Sequence, residues 1–239
     1  RFYKHLDKCQ ARVYRELQDG IDQLIGDCEE PKLINNFDEI STIIIARAVA
    51  VVFVGEEFCK DEEIIKMFAT FANTLTQVVK LSLIAFFIHP RLQTEYIKLV
   101  FKYGTNSPKK HKDLLIRKLK PIFENRYQDM QRFGDEWKRP DDLIQLLLEQ
   151  SINLFGKIHY DCITCYMLTL IWASIHTTSM NLLGTLNDYA GRPEYWNDLR
   201  KEQEAVAGGL DFDLTMQQID RMEKLDSFIK ESNRLMGHA

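Results

Sequence analysis

A run of small and polar residues, Ala173-Ser174-Ile175-His176-Thr177-Thr178-Ser179, interrupts a segment that is otherwise apolar. Serine and threonine hydroxyls can bond back to carbonyls one turn earlier, which bends a helix and opens room beside it. Two readings stay open: a surface on which a flat ligand or oxygen lies, and a polar contact to a neighbouring helix. Later in the chain, Glu231 and Arg234 stand three apart, so on a helix they share a face and can pair. Cys162-x-x-Cys165 has no second pair or histidine at ligand spacing, so it reads as core packing and not as a zinc site. Gly55-Glu56-Glu57-Phe58-Cys59 offers a thiol, but its acidic neighbours oppose ionisation. Asp141-Asp142 and Asn187-Asp188 would suit magnesium and diphosphate only with further ligands; Gln145 stands where a third acid should be, and Gly191 and Tyr195 where a serine and a glutamate should be, which argues against a diphosphate cyclase.

The elements that carry these residues follow from periodicity. Six prolines and 11 glycines punctuate the chain, and between them apolar residues recur at three and four positions. The expected class is therefore mainly α. Helices are expected over 2–25, 38–52 and 62–79, then a long amphipathic one over 108–138 with a stripe of Leu114, Leu115, Leu119, Ile122, Phe123, Tyr127 and Met130. Arg139-Pro140-Asp141-Asp142 breaks it and starts another through Glu149, the acids favouring the positive dipole end. Residues 157–190 hold no proline and only Gly184, which predicts one helix of about 30 residues. Its middle, 162–175, is apolar almost all round and predicts burial on every side. Arg192-Pro193-Glu194 opens a helix to about Val206, Thr215-x-x-Gln218 is a capping-box start, and a last helix covers 222–235. No internal repeat and no convincing alternating strand is visible, which argues against a solenoid scaffold, the non-catalytic alternative.

Composition sets outer limits. With 239 residues, 45% of them hydrophobic, the chain can bury a sizeable core. Its 31 basic and 35 acidic residues are interleaved, leaving no broad cationic face, so nucleic acid is not an expected partner. Five cysteines at irregular spacing point to a reducing compartment without structural disulfides. The apolar runs 40–54, 78–88 and 163–175 are each shorter than the roughly 20 residues that cross a bilayer, so none is expected to span one. No targeting signal is visible after Arg1, and the true start is expected upstream.

In their order along the chain, the motifs resemble the cytochrome P-450 family. There a long central helix carries Ala/Gly-Gly-x-Asp/Glu-Thr-Thr/Ser, and a later helix carries Glu-x-x-Arg. Ala173, Thr177 and Thr178 match the first pattern, with Ser174 for glycine and His176 for the acid; Glu231 and Arg234 match the second. Val52-Phe53-Val54-Gly55 with Cys59-Lys60-Asp61-Glu62-Glu63, Asp141-Asp142-Leu143-Ile144-Gln145, Arg192-Pro193-Glu194-Tyr195 and the run 222–232 resemble further family segments, so nearly the whole chain is covered. The His-Thr-Thr-Ser variant looks most like fungal members related to ent-kaurene oxidases and other terpenoid hydroxylases.

The resemblance implies a partial cytochrome P-450 domain over 1–239, from the early helices to the Glu-x-x-Arg helix. It implies a haem cofactor, with Ala173 and Thr177 lying against its distal face and Thr177 helping deliver protons during dioxygen activation. His176 would either relay a proton, since imidazole titrates near neutrality, or fill space. Glu231 and Arg234 would form part of a buried structural charge network. An apolar, terpenoid-like substrate, a cytochrome P-450 reductase supplying electrons from NADPH, and the cytosolic face of the endoplasmic reticulum membrane through an upstream anchor are implied in the same way. The family's iron-ligand loop, Phe-x-x-Gly-x-Arg-x-Cys-x-Gly, has no counterpart here, because Cys59 sits in a context with Val52, Glu57 and Asp61 at the aromatic, arginine and glycine positions. The chain alone is therefore expected to be inactive.

Overall fold

A computed structural model describes residues 3–28, 30–55, 58–103, 108–140, 142–208 and 214–236. All regular structure among them is helical. Two compact units emerge, one formed by Val49–His176 and the other by Arg1–Ala48 with Thr177–Ala239. Two helices, α2 (Phe37–Val54) and α7 (Tyr160–Gly191), contribute to both.

In the unit Val49–His176, α3 (Glu62–Ile88) starts at an Asp61 cap whose side chain accepts from the Glu63 and Ile64 amides. This satisfies donors that a helix start cannot pair internally. The same carboxylate and that of Glu63 take the Lys118 ammonium at 2.7 and 2.8 Å, tying the start of α3 to α5 (Pro108–Phe133). Ile64, Phe68, Phe71 and Ala72 of α3 join Leu115, Leu119 and Phe123 of α5 in the core.

Sequence periodicity stops α3 at Val79, but the helix continues nine residues further, because the apolar run 78–88 extends it instead of forming a separate element. Among the described residues α3 is the one helix long and apolar enough, by length and composition, to cross a membrane, with mean hydropathy 1.5 and 28% of the window buried. The expectation that no segment is long enough is corrected to that extent, because the run 78–88 counts there by itself, whereas α3 joins it to the residues from Glu62 onward. Pro90 opens α4 (Pro90–Tyr103), which packs on α3 and leaves Phe87, Ile88, Leu92 and Leu99 exposed, Phe87 by 85%.

Helix α5 tolerates Pro121 and ends five residues earlier than its amphipathic stripe suggests, in a 3-10 turn at Gly134–Glu136. Helix α6 (Leu143–Phe155) is capped by Asp142, whose side chain accepts from the Gln145 amide at 2.8 Å, and ends at Gly156 in the left-handed region, φ 67°. Arg126 grips that carboxylate with both terminal nitrogens at 2.7 Å. Burial pushes the Asp142 carboxyl up, yet the Arg126 pair and the Gln145 amide outweigh it and hold it below its ordinary range.

In the other unit, α1 (Tyr3–Leu24) meets α2 at Gly20, where a Cβ would stand 3.3 Å from the Ile44 side chain. Arg47 donates to Gln23 at 2.8 Å beside this crossing. A 3-10 turn at Pro193–Tyr195 leads into α8 (Trp196–Ala207), which Gly208 closes at φ 79°. The short α9 (Met216–Ile219) starts in the expected capping box between Thr215 and Gln218. Its first amide donates to Gln10 of α1 at 2.9 Å, and Gln10 in turn donates to the Leu214 carbonyl.

Helix α10 (Glu223–Leu235) has no side-chain cap of its own at Met222. Instead Glu202 of α8 accepts from the Lys224 and Leu225 amides at 2.8 and 2.9 Å, so a carboxylate from a neighbouring helix does the capping. At its other end α10 lies against Gly184 of α7: a Cβ there would run into the Met236 thioether.

Candidate functional site

The candidate residues ride on α7, a single helix of 32 residues as the sequence predicts. At 1.5 Å per residue it is about 48 Å long. Its start is fixed by His159, whose Nδ1 and carbonyl both accept from the Cys162 amide, and by Lys112 of α5, which donates to Asp161 at 2.7 Å. Tyr160 donates to Glu124 at 3.1 Å and its ring meets Phe123 edge-on.

Burial on every side is not what α7 shows. Ile163, Met167, Leu168, Ile171 and Ile175 are buried, whereas Tyr166, Leu170, Ala173, Thr177 and Met180 are exposed. At 100° per residue those five fall within an arc of about 80°, so they form one stripe. An apolar composition all round the helix disguised a two-faced element, because Leu, Tyr and Met score alike whether they meet core or open surface. Ala173 and Thr177 therefore stand one turn apart on the same accessible face, with Leu170 and Met180, each 38% exposed, on either side. Tyr166, Leu170 and Met180 share that face, a placement signalled in sequence by the alternating four- and three-residue steps 166, 170, 173, 177, 180.

His176 sits differently. Its ring stacks on Trp172 one turn earlier, with centroids 6.3 Å apart and planes 5° from parallel. Trp172 is itself held by donating to Thr76 at 3.1 Å, and Thr76 donates to the Ala72 carbonyl at 2.9 Å. Back-bonding to carbonyls one turn earlier occurs on α7 at Thr164 and Thr169. Ser179 is different: its hydroxyl is buried without a hydrogen-bond partner.

Arg234 holds Glu231 through Nε and Nη2 at 2.8 and 2.6 Å. The Arg234 hydrogen bond lowers the Glu231 carboxyl below its ordinary range and raises the guanidinium further, with Arg192 adding a smaller pull on Glu231. The pair is exposed here, 63% and 53%, and not buried. Glu231 lines a cleft of about 520 Å³ whose walls include Arg192, Tyr195, Leu199, Phe228 and Leu235. Asp188 of α7 closes one side of it, accepting from Ser232 at 2.5 Å. No cluster of three or more His, Cys, Asp or Glu among the described residues is placed to hold a metal ion.

The family model for cytochrome P450 matches residues 1–239. The chain belongs to the cytochrome P450 family. It is 31% identical over 245 residues to the cytochrome P450 monooxygenase BOA7 of Botryotinia fuckeliana, covering 97% of this chain and 43% of that protein. To BOA4 of the same organism it is 30% identical over 195 residues, covering 80% and 37%; to ccsG of Aspergillus clavatus, 26% over 235 residues, covering 97% and 44%. The chain thus spans about two-fifths of the length of the curated relatives it matches. It is a mainly α portion of the fold of an oxidoreductase family whose members carry haem.

The residues present suit one side of such a group. A macrocycle needs a flat apolar wall without bulky side chains at its centre, and the exposed α7 stripe offers Ala173 and Thr177 between Leu170 and Met180. An axial thiolate wants donors and positive charge around it. Cys59 is 2% exposed, and Asp61 nearby is engaged by Lys118.

Proposed function

We propose that the complete protein is a haem-dependent monooxygenase that hydroxylates an apolar substrate of terpenoid type. Its electrons come from NADPH through a cytochrome P450 reductase, at the cytosolic face of the endoplasmic reticulum, where an anchor upstream of these residues holds it. The observation that carries the reading is the pairing of Ala173 and Thr177 on the accessible face of α7. The terpenoid class rests on the likeness of the His-Thr-Thr-Ser run to fungal terpenoid hydroxylases.

Haem, when bound, supplies the activation of dioxygen. Ala173 leaves room for the macrocycle, Leu170 and Met180 give it an apolar wall, and Thr177 presents a hydroxyl that holds and passes a proton on that face. His176 is a positioning residue in this scheme, its ring fixed by the Trp172 stack. Glu231 and Arg234 shape the cleft beside α8 and touch no substrate.

In the full-length protein, Thr177→Ala should keep consuming NADPH while product per NADPH falls severalfold; an unchanged ratio removes Thr177 from proton delivery. His176→Phe keeps the stacked shape without a titrating nitrogen and should leave that ratio near wild type. A drop as large as that of Thr177→Ala would instead assign the imidazole a proton relay.

A further inference from the structure

Cys162 and Cys165 are left unused by this reading, and they are not core residues. Cys165 is exposed and Cys162 partly so, whereas Cys59 is buried. Residues three apart on a helix have Cα atoms about 5 Å apart, inside the window of about 4.4–6.8 Å that a disulfide bridges. Both sulfurs lie in the first two turns of α7. The Lys112 ammonium is held there by Asp161, and its field reaches Cys165.

We propose that Cys162 and Cys165 form a redox-active dithiol that closes by exchange with a small-molecule disulfide. The Cys165 thiolate attacks one sulfur of the oxidant, forming a mixed disulfide and expelling one thiolate. The Cys162 thiolate then attacks the Cys165 sulfur and expels the second. Two protein thiols are oxidised, one small disulfide is reduced to two thiols, and the two protons end on the departing sulfurs.

An ideal helix sets the two Cβ atoms wider than an unstrained disulfide accepts, so closure tightens the first turn. Closure must also distort the bonds that the Cys162 and Ile163 amides make to the His159 carbonyl at 3.0 and 3.1 Å, which adds to the strain. A bond made under such strain is also more easily reduced, which makes the pair reversible and not a permanent staple. The inference is independent of haem.

The 239-residue chain carries its own controls in exposed Cys28 and buried Cys59. Reduced protein is incubated with graded oxidised glutathione, quenched in acid, alkylated in denaturant and mapped by mass spectrometry. Expected is a 162–165 peptide lighter by two hydrogen masses and restored by dithiothreitol, at oxidant levels where Cys28 carries only glutathione and Cys59 only the alkyl label. Cys165→Ser should abolish closure and leave Cys162 as thiol or glutathione adduct. Alkylation of both sulfurs, or glutathione on either without closure, at oxidant levels that modify Cys28 would overturn the proposal.

Discussion

Asp142 shows how much one side chain can hold together in this chain. It caps α6 through the Gln145 amide and receives both terminal nitrogens of Arg126, while Arg139 pairs with Glu149 one helical face away at 2.7 Å. Because its folded carboxyl titrates below the ordinary value of 3.8, its contribution is complete above that value and is lost as pH falls through the lower, folded one. Asp142→Asn should cost about 1–3 kcal/mol near neutrality, from the lost charged bonds and the weakened cap. Urea midpoints followed from about pH 5 to about pH 3 should then fall less steeply in the variant than in wild type; equal slopes would mean that Asp142 is not linked to folding. The break at Arg139-Pro140 and the acids behind it are readable from sequence, but Arg126 is not, because nothing in the intervening residues marks it as the partner. The cysteine pair is misread for a related reason. Sulfur counts as apolar in a periodicity, and only coordinates tell which side of α7 it occupies.

Helices make the same point about local and non-local information. The capping box at Thr215 is legible because donor and acceptor lie three residues apart. The cap on α10 is not, since Glu202 reaches it from another helix. Glu202→Ala should cost about 0.5–2 kcal/mol by chemical denaturation, and hydrogen exchange should quicken first at the Lys224 and Leu225 amides. Protection unchanged at those two amides would show that α10 does not depend on this carboxylate. Pro90 stands at the first position of α4, just after α3 ends, where its missing N–H costs nothing and its fixed φ suits a helix.

For the molecule as a whole, the mainly α class and the family are both visible in sequence, the first through period and the second through motifs spread over almost the entire length. The two-unit partition is not visible, because neither division falls in a linker. It passes between Ala48 and Val49 inside α2, and between His176 and Thr177 inside α7. Limited proteolysis should therefore spare both positions while nicking exposed connections; early cleavage at either would show that those helices open readily. A second expectation concerns the cofactor. With no cysteine in the iron-ligand pattern, the 239-residue chain mixed with haem, dithionite and carbon monoxide should lack a thiolate-type Soret band. Appearance of that band would assign one of the five cysteines to iron.

The hairpin of α3 and α4 has a practical consequence for anyone handling the chain. Phe87 and Ile88, 85% and 71% exposed, end α3, and Ile84 of α3 with Leu92 and Leu99 of α4 are exposed as well. A greasy tip of this kind makes molecules cling to one another in solution. Kosmotropic salt strengthens apolar attraction, so ammonium sulfate should precipitate this polypeptide early, and a mild detergent should keep it dispersed.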